Sequence, residues 1–93
     1  MKFEWDEQKN EENIRKHGID FADVVEMFDH PMLTHLDTRR DYGEDRWIGI
    51  GLLRHIIAVT IYLEWEDVET IRIISARKAT RDESKEYHQR VAH

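Results

Sequence analysis

The chain has no cysteine. That absence removes disulfides, thiolate catalysis and zinc–sulfur sites together. Proline occurs once, at Pro31, and glycine four times, so each breaker marks a specific place. No apolar run approaches the roughly 20 residues that span a bilayer. No basic-apolar-small segment opens the sequence, so no secretion signal is expected. A cytoplasmic location without a membrane partner is the expectation. A phosphate-binding glycine loop, an H-E-x-x-H helix and a serine elbow are all missing. The six histidines, at 17, 30, 35, 55, 88 and 93, show no metal-ligand spacing. No metal and no cofactor is therefore expected.

What is present is a short chain rich in both apolar and charged residues. Its 93 residues are 40% hydrophobic and 37% charged. That composition predicts one folded domain over 1–93, with a thin core. The formal charge of −6 is uneven. Residues 1–70 carry 17 acidic and 8 basic side chains, a net of −9, whereas residues 71–93 carry 3 and 6, a net of +3. An acidic chain is a poor prior for nucleic-acid binding, which uses a basic face. The basic end keeps that function open, and the acidic part suits a basic protein partner.

The pattern along the chain predicts β-α-α-β-β-β-β-α. Lys2–Trp5 alternates, with Phe3 and Trp5 on one face of a short strand. Asp6 has N-cap chemistry, Glu7 suits the first turn, and Gly18 suits a left-handed C′ position. The helix between is polar apart from Ile14, so it is expected to lean on the sheet through a narrow stripe. Asp20 caps a second helix, in which Phe21, Val24, Val25 and Phe28 share one face. His30-Pro31 ends it. Met32–Thr38 is a weak strand, and Arg39–Asp45 a polar turn.

Arg46–Leu52 alternates cleanly, with Gly49 and Gly51 leaving a bare patch for close approach. Arg54-His55 is a tight turn. Ile56–Leu63 is nearly all apolar or β-branched, as in a central strand covered on both faces. Glu64–Asp67 is an acidic turn and Val68–Ala76 the last strand. Thr80 with Glu83 forms a capping box for a closing helix over Thr80–His88 or beyond, and 89–93 is expected to fray. Strands joined by short turns run antiparallel. The expected fold is therefore α+β, an antiparallel meander sheet with two N-terminal helices and one C-terminal helix.

The stretch Ile71–Thr80 carries the most chemistry, because it places Arg77 and Lys78 at a strand-to-helix junction. Arginine offers planar, multi-donor recognition of phosphate oxygens. Arg72 and Arg77 are an odd number apart and would face opposite sides of an ideal strand, whereas Ser75 and Arg77 share a face. Glu44 and Arg46 bracket a strand start. Positioned cations stabilise the charge of a phosphodiester transition state, and His or Glu can take a 2′-hydroxyl proton. The plainer reading makes Glu44, Arg46 and Arg72 ion-pair partners of little energetic weight. In the same reading His17 is a helix C-terminal cap and Lys9 a solvated helix residue.

Several motifs in order resemble the BrnT family. They are the opening Phe3–Phe21, with Lys9, Asn13, Lys16, His17 and Gly18; Asp29-His30-Pro31; Gly43-Glu44-x-Arg46 followed by Ile48-Gly49; and Arg72–Ala79 with Glu83 and Tyr87 downstream. The resemblance covers essentially the whole chain. It implies a toxin of a type II toxin–antitoxin system with a RelE-like ribonuclease fold, cleaving RNA without a metal. It implies a BrnA-like antitoxin that blocks the toxin and supplies the contact to operator DNA, and a toxin homodimer within that complex. It implies active residues at Lys9, His17, Glu44, Arg46 and Arg77. With the residue chemistry above, Arg46, Arg77, Glu44 and His17 become the catalytic candidates, and Lys9, Arg72 and Lys78 the substrate-binding ones.

One position departs from the family pattern. Many members follow the tyrosine of the penultimate strand with Thr-x-Arg, whereas Leu63-Glu64-Trp65 follow Tyr62 here. If the absent arginine holds the scissile phosphate, the nuclease is weaker or altered. The rival reading is a non-catalytic subunit that complexes a DNA-binding antitoxin and modulates operon repression.

Overall fold

The computed structural model describes residues 1–65 and 69–91. Five strands form one sheet in the order β1-β5-β4-β3-β2. They are β1 Lys2–Glu4, β2 Leu33–Leu36, β3 Trp47–Leu53, β4 Ile56–Glu64 and β5 Thr70–Lys78. Three α-helices accompany them: α1 Glu7–His17, α2 Phe21–Val24 and α3 Arg81–Arg90, with a 3-10 turn over Val25–Asp29. The α+β class, with three helices and five strands, agrees with the sequence pattern. The apolar strand Ile56–Glu64 takes the middle of the sheet, as its β-branched run predicts.

The sheet is mixed, which corrects the antiparallel meander. Strands β2 to β5 are antiparallel neighbours, but β1 pairs with β5 in parallel, Phe3 opposite Ile71 and Glu4 opposite Arg72. The rule linking short turns to antiparallel pairing governs β2 to β5. Two helices separate β1 from β2, so no turn fixes its direction. The last strand is also displaced from Val68–Ala76 to Thr70–Lys78. Residues 66–68, which include half of the expected acidic turn, and the last two residues of the tail lie outside the described residues.

The sheet buries two faces. Ala58, Tyr62, Ile71, Ile73 and Ala76 point towards α2 and the 3-10 turn, where Phe21, Val24 and Met27 are fully buried. The 3-10 turn shortens the period to three residues, so Met27 joins this face, which a 3.6-residue period does not predict. Phe28 still packs on it, 5.0 Å from the Tyr62 ring and 5.2 Å from Phe3. Burial pushes the Tyr62 phenol up to about 12, with the charge of Glu64 adding to it. The bare patch at Gly49 and Gly51 is filled by the side chains of Met32 and Tyr62. A Cβ on Gly51 would stand 2.6 Å from Met32 Cγ, and one on Gly49 3.1 Å from Tyr62 Cε1. The opposite face carries Ile50 and Val59 beneath Tyr87 of α3.

Helix α1 docks by a different device from the one expected. Ile14 is 42% exposed, and the buried residues of the helix are Asn10 and Asn13. Asn10 accepts from the Phe21 N–H and donates to Asp20, the second N-cap. Asn13 donates to the Ile19 carbonyl and accepts from the Ala76 N–H at 3.1 Å. The short strand β1 covers β5 only to Arg72, so Asn13 satisfies a backbone donor beyond its reach. Among the described residues no helix is long and apolar enough to cross a membrane.

Candidate active site

A register shift in β5 builds the site. Ile61 lies opposite Ser75 and Tyr62 opposite Ile73, so Ile74 is an extra residue between Arg72 and Arg77. Such a bulge re-aims the side chains beyond it. Arg72 lies opposite Leu63 and Arg77 opposite Val59. Leu63 and Val59 are an even number apart on a regular strand, so the two arginines share a face. This corrects the expectation that their odd spacing separates them.

Arg77 points into a cleft of about 430 Å³. Its floor is apolar, made by Ile48, Ile50, Val59 and Ile61, whose register puts them on one face of β3 and β4. Its rim is polar: His17 from the end of α1, His35 from β2, Arg39 from the segment after β2, and Glu83 and Glu86 from α3. His17 stands at this end because Gly18 turns left-handed, φ 71°, and donates back to the Ile14 carbonyl. His35 faces the cleft because it pairs with Ile48.

Both arginines of the cleft are anchored. Arg77 donates to both carboxylate oxygens of Glu83, at 2.7 and 2.8 Å. Glu83 also accepts from the Thr80 N–H at 2.8 Å, completing the predicted capping box. The Arg77 hydrogen bonds, then the Thr80 N–H, hold the Glu83 carboxyl down to about 2 against burial. Arg39 donates to Asp37 through Nε at 2.9 Å and Nη2 at 2.8 Å. The Asp37 side chain is wholly buried, whereas that of Arg39 is 65% exposed. Hydrogen bonds from the Arg39 side chain lead in holding Asp37 well below the usual carboxylate range, and they outweigh its desolvation. Arg39 lies close enough that its charge works against that of Arg77.

The structure brings some of the sequence candidates together and leaves others apart. Arg77 and His17 line the cleft. Lys9 lines a smaller adjoining pocket with Asn13, Lys16 and Ser75, and His17 borders both. Arg46 and Glu44 stand outside, paired with each other at 3.1 Å. The Arg46 guanidinium lies 4.3 Å from the Tyr42 ring centroid, and the Tyr42 hydroxyl donates to Asp37. Among the described residues the Arg46 side chain thus connects to the cleft through Tyr42, Asp37 and Arg39. Arg72 pairs with Glu4 of β1 at 3.3 Å. Lys78 lines a separate groove beside α3.

His35, Arg39 and Glu86 are polar cleft residues that the sequence did not reveal. The available signal was Asp37-x-Arg39, an acid and a base two apart after a weak strand. The absent arginine also gains a place. Trp65 occupies its position, and the indole donates to Glu4, the partner of Arg72. Trp65 lies six residues past Val59, roughly 20 Å along an extended strand. The departure therefore falls at the Arg72 end of the sheet, away from Arg77. Among the described residues no group of three or more His, Cys, Asp or Glu side chains is arranged to hold a metal.

A search of curated proteins finds no significant match. The family model for the ribonuclease toxin BrnT of type II toxin–antitoxin systems matches residues 5–83, which include Lys9, His17, the whole sheet after β1, and the Arg77–Glu83 pair. With that span covering most of its length, the chain belongs to the BrnT family of ribonuclease toxins.

Proposed function

We propose that the chain cleaves RNA in this cleft by attack of a 2′-hydroxyl on the adjacent phosphate. The observation that carries the reading is the convergence of Arg77, Arg39, His17 and His35 on one apolar-floored space. The two guanidiniums supply the planar donors that suit phosphate oxygens. Charge building on those oxygens is stabilised most where water is partly excluded, as over the Ile and Val floor. Either histidine can take the 2′-hydroxyl proton, and the other can return one to the 5′-oxygen leaving group. Lys9 and Lys16, beside His17, extend the binding surface for the strand. No step calls on a metal.

In this reading Arg46 and Glu44 act on the cleft from outside, by fixing Tyr42 and hence the Asp37–Arg39 pair. The protein is neutralised by a BrnA-like antitoxin, which also makes the contact to operator DNA, and the toxin pairs as a homodimer within that complex. The mixed sheet with helices on both faces fits a RelE-like fold. Expression with and without the antitoxin tests the activity. Growth arrest and RNA ending in 2′,3′-cyclic phosphate are expected without it. Intact RNA in the presence of pure, folded protein would overturn the reading.

One observation favours the second reading, a non-catalytic antitoxin-binding subunit. Each cleft arginine already has a carboxylate partner, Glu83 for Arg77 and Asp37 for Arg39. A nuclease must let phosphate compete with Glu83, whereas a binding subunit need not. A protein that co-purifies with its antitoxin yet leaves RNA intact at high concentration decides for the second reading.

A further inference from the structure

Helix α3 segregates its charges. Glu83 and Glu86 face the cleft, while Arg81 and Lys85 line a groove on the other side. That groove measures about 670 Å³ and opens between α3, the end of β5 and the start of β4. Lys78, His55 and His88 complete its basic lining, with the Ser84 hydroxyl among them. No acidic side chain lines it among the described residues. Among the described residues Lys78, Arg81 and Lys85 make no ion pair, in contrast to the arginines of the cleft. In a chain of net charge −6, so local a concentration of unpaired cations has to be explained.

We infer that this groove binds the phosphodiester backbone of the RNA strand next to the cleaved bond. The inference rests on the ribonuclease reading. Two features favour RNA over an acidic protein segment. Arg77 and Lys78 are consecutive, and Arg77 Nη1 donates to the Lys78 carbonyl at 3.3 Å. The groove therefore begins one residue beyond the cleft along β5. Lysine, arginine and serine side chains are also the groups that contact phosphates without reading bases.

The test is equilibrium binding of a 2′-O-methyl oligoribonucleotide, which lacks the attacking hydroxyl, across a series of salt concentrations. Wild type is compared with Arg81→Gln/Lys85→Gln. The double variant is expected to bind more weakly, and its salt slope to fall by about 1.4, two single-strand contacts at about 0.7 each. Both positions are exposed, so the melting temperature is expected to hold. Should it shift, Lys85→Ala alone is expected to lower the slope by about 0.7. Unchanged affinity and slope would overturn the inference. So would intact RNA binding with loss of antitoxin binding, which assigns the groove to an acidic protein segment. Cleavage of unmodified RNA by wild type scores the ribonuclease reading separately. Binding without cleavage sinks that reading and leaves the groove standing.

Discussion

Arg77 and Glu83 close a bidentate pair across the junction of β5 and α3, Nη1 to Oε1 at 2.7 Å and Nη2 to Oε2 at 2.8 Å. The same carboxylate receives the Thr80 N–H that opens the helix. One glutamate thus begins α3 and aims the guanidinium at the cleft. Its two tasks separate by substitution. Glu83→Ala removes both and is expected to cost about 1–2 kcal/mol in chemical denaturation. Glu83→Gln keeps an acceptor for the Thr80 N–H and should cost about half as much. Equal losses would mean that the cap contributes nothing.

The acid limb of the stability curve should report the same pair. The Glu83 carboxyl sits at about 2 when folded, below its ordinary 4.5. Its contribution is therefore fully present above about pH 4.5 and is lost as pH falls towards 2. Asp37, also lowered, adds to the loss in the same direction. Denaturant midpoints measured from pH 6 to pH 2 should fall through this window. The fall should be shallower for Glu83→Gln, which removes one of the lowered carboxylates.

Asn13 should outweigh the one aliphatic residue of its helix. Asn13→Ala leaves the Ala76 N–H without its acceptor and is expected to cost about 1–3 kcal/mol. Ile14→Ala, at an exposed position, should stay within about 0.5 kcal/mol. The reverse order in urea melts would show that α1 docks through an apolar stripe after all.

Gly51 is required by Met32. Gly51→Ala sets a Cβ 2.6 Å from Met32 Cγ and is expected to destabilise by about 1–3 kcal/mol. Adding Met32→Ala should recover part of that loss, because the clashing atom is gone. A double variant less stable than the sum of the single changes would contradict this cause.

Much of this molecule is legible in its sequence, and the illegible parts have physical reasons. Strands β3 and β4 show themselves through alternation and β-branched runs, and α3 through Thr80 and Glu83, because those signals are local. The docking of α1 is hidden because asparagine side chains replace apolar ones, and hydrogen bonding to a distant backbone leaves no periodicity. The bulge at Ile74 is hidden for a related reason: an extra residue in a strand reads like any other, yet it decides that Arg72 and Arg77 share a face. In the site, Arg77 and His17 stand at element ends that caps and glycine mark. His35 and Arg39 come from a weak edge strand and the segment after it, and only the fold carries them to Arg77.

Arg77 and its cleft neighbours, and not Arg46, are expected to handle the phosphate. The most direct measurement is the cleavage rate of RNA by the purified protein for wild type, Arg77→Ala and Arg46→Ala, each checked for an intact fold. Wild type should cleave, Arg77→Ala should lose a factor of about 10² to 10³ in kcat, and Arg46→Ala should lose less than about tenfold, because it acts through Tyr42 and Asp37. Cleavage by Arg77→Ala at the wild-type rate, or a loss in Arg46→Ala as deep as in Arg77→Ala, would contradict the account.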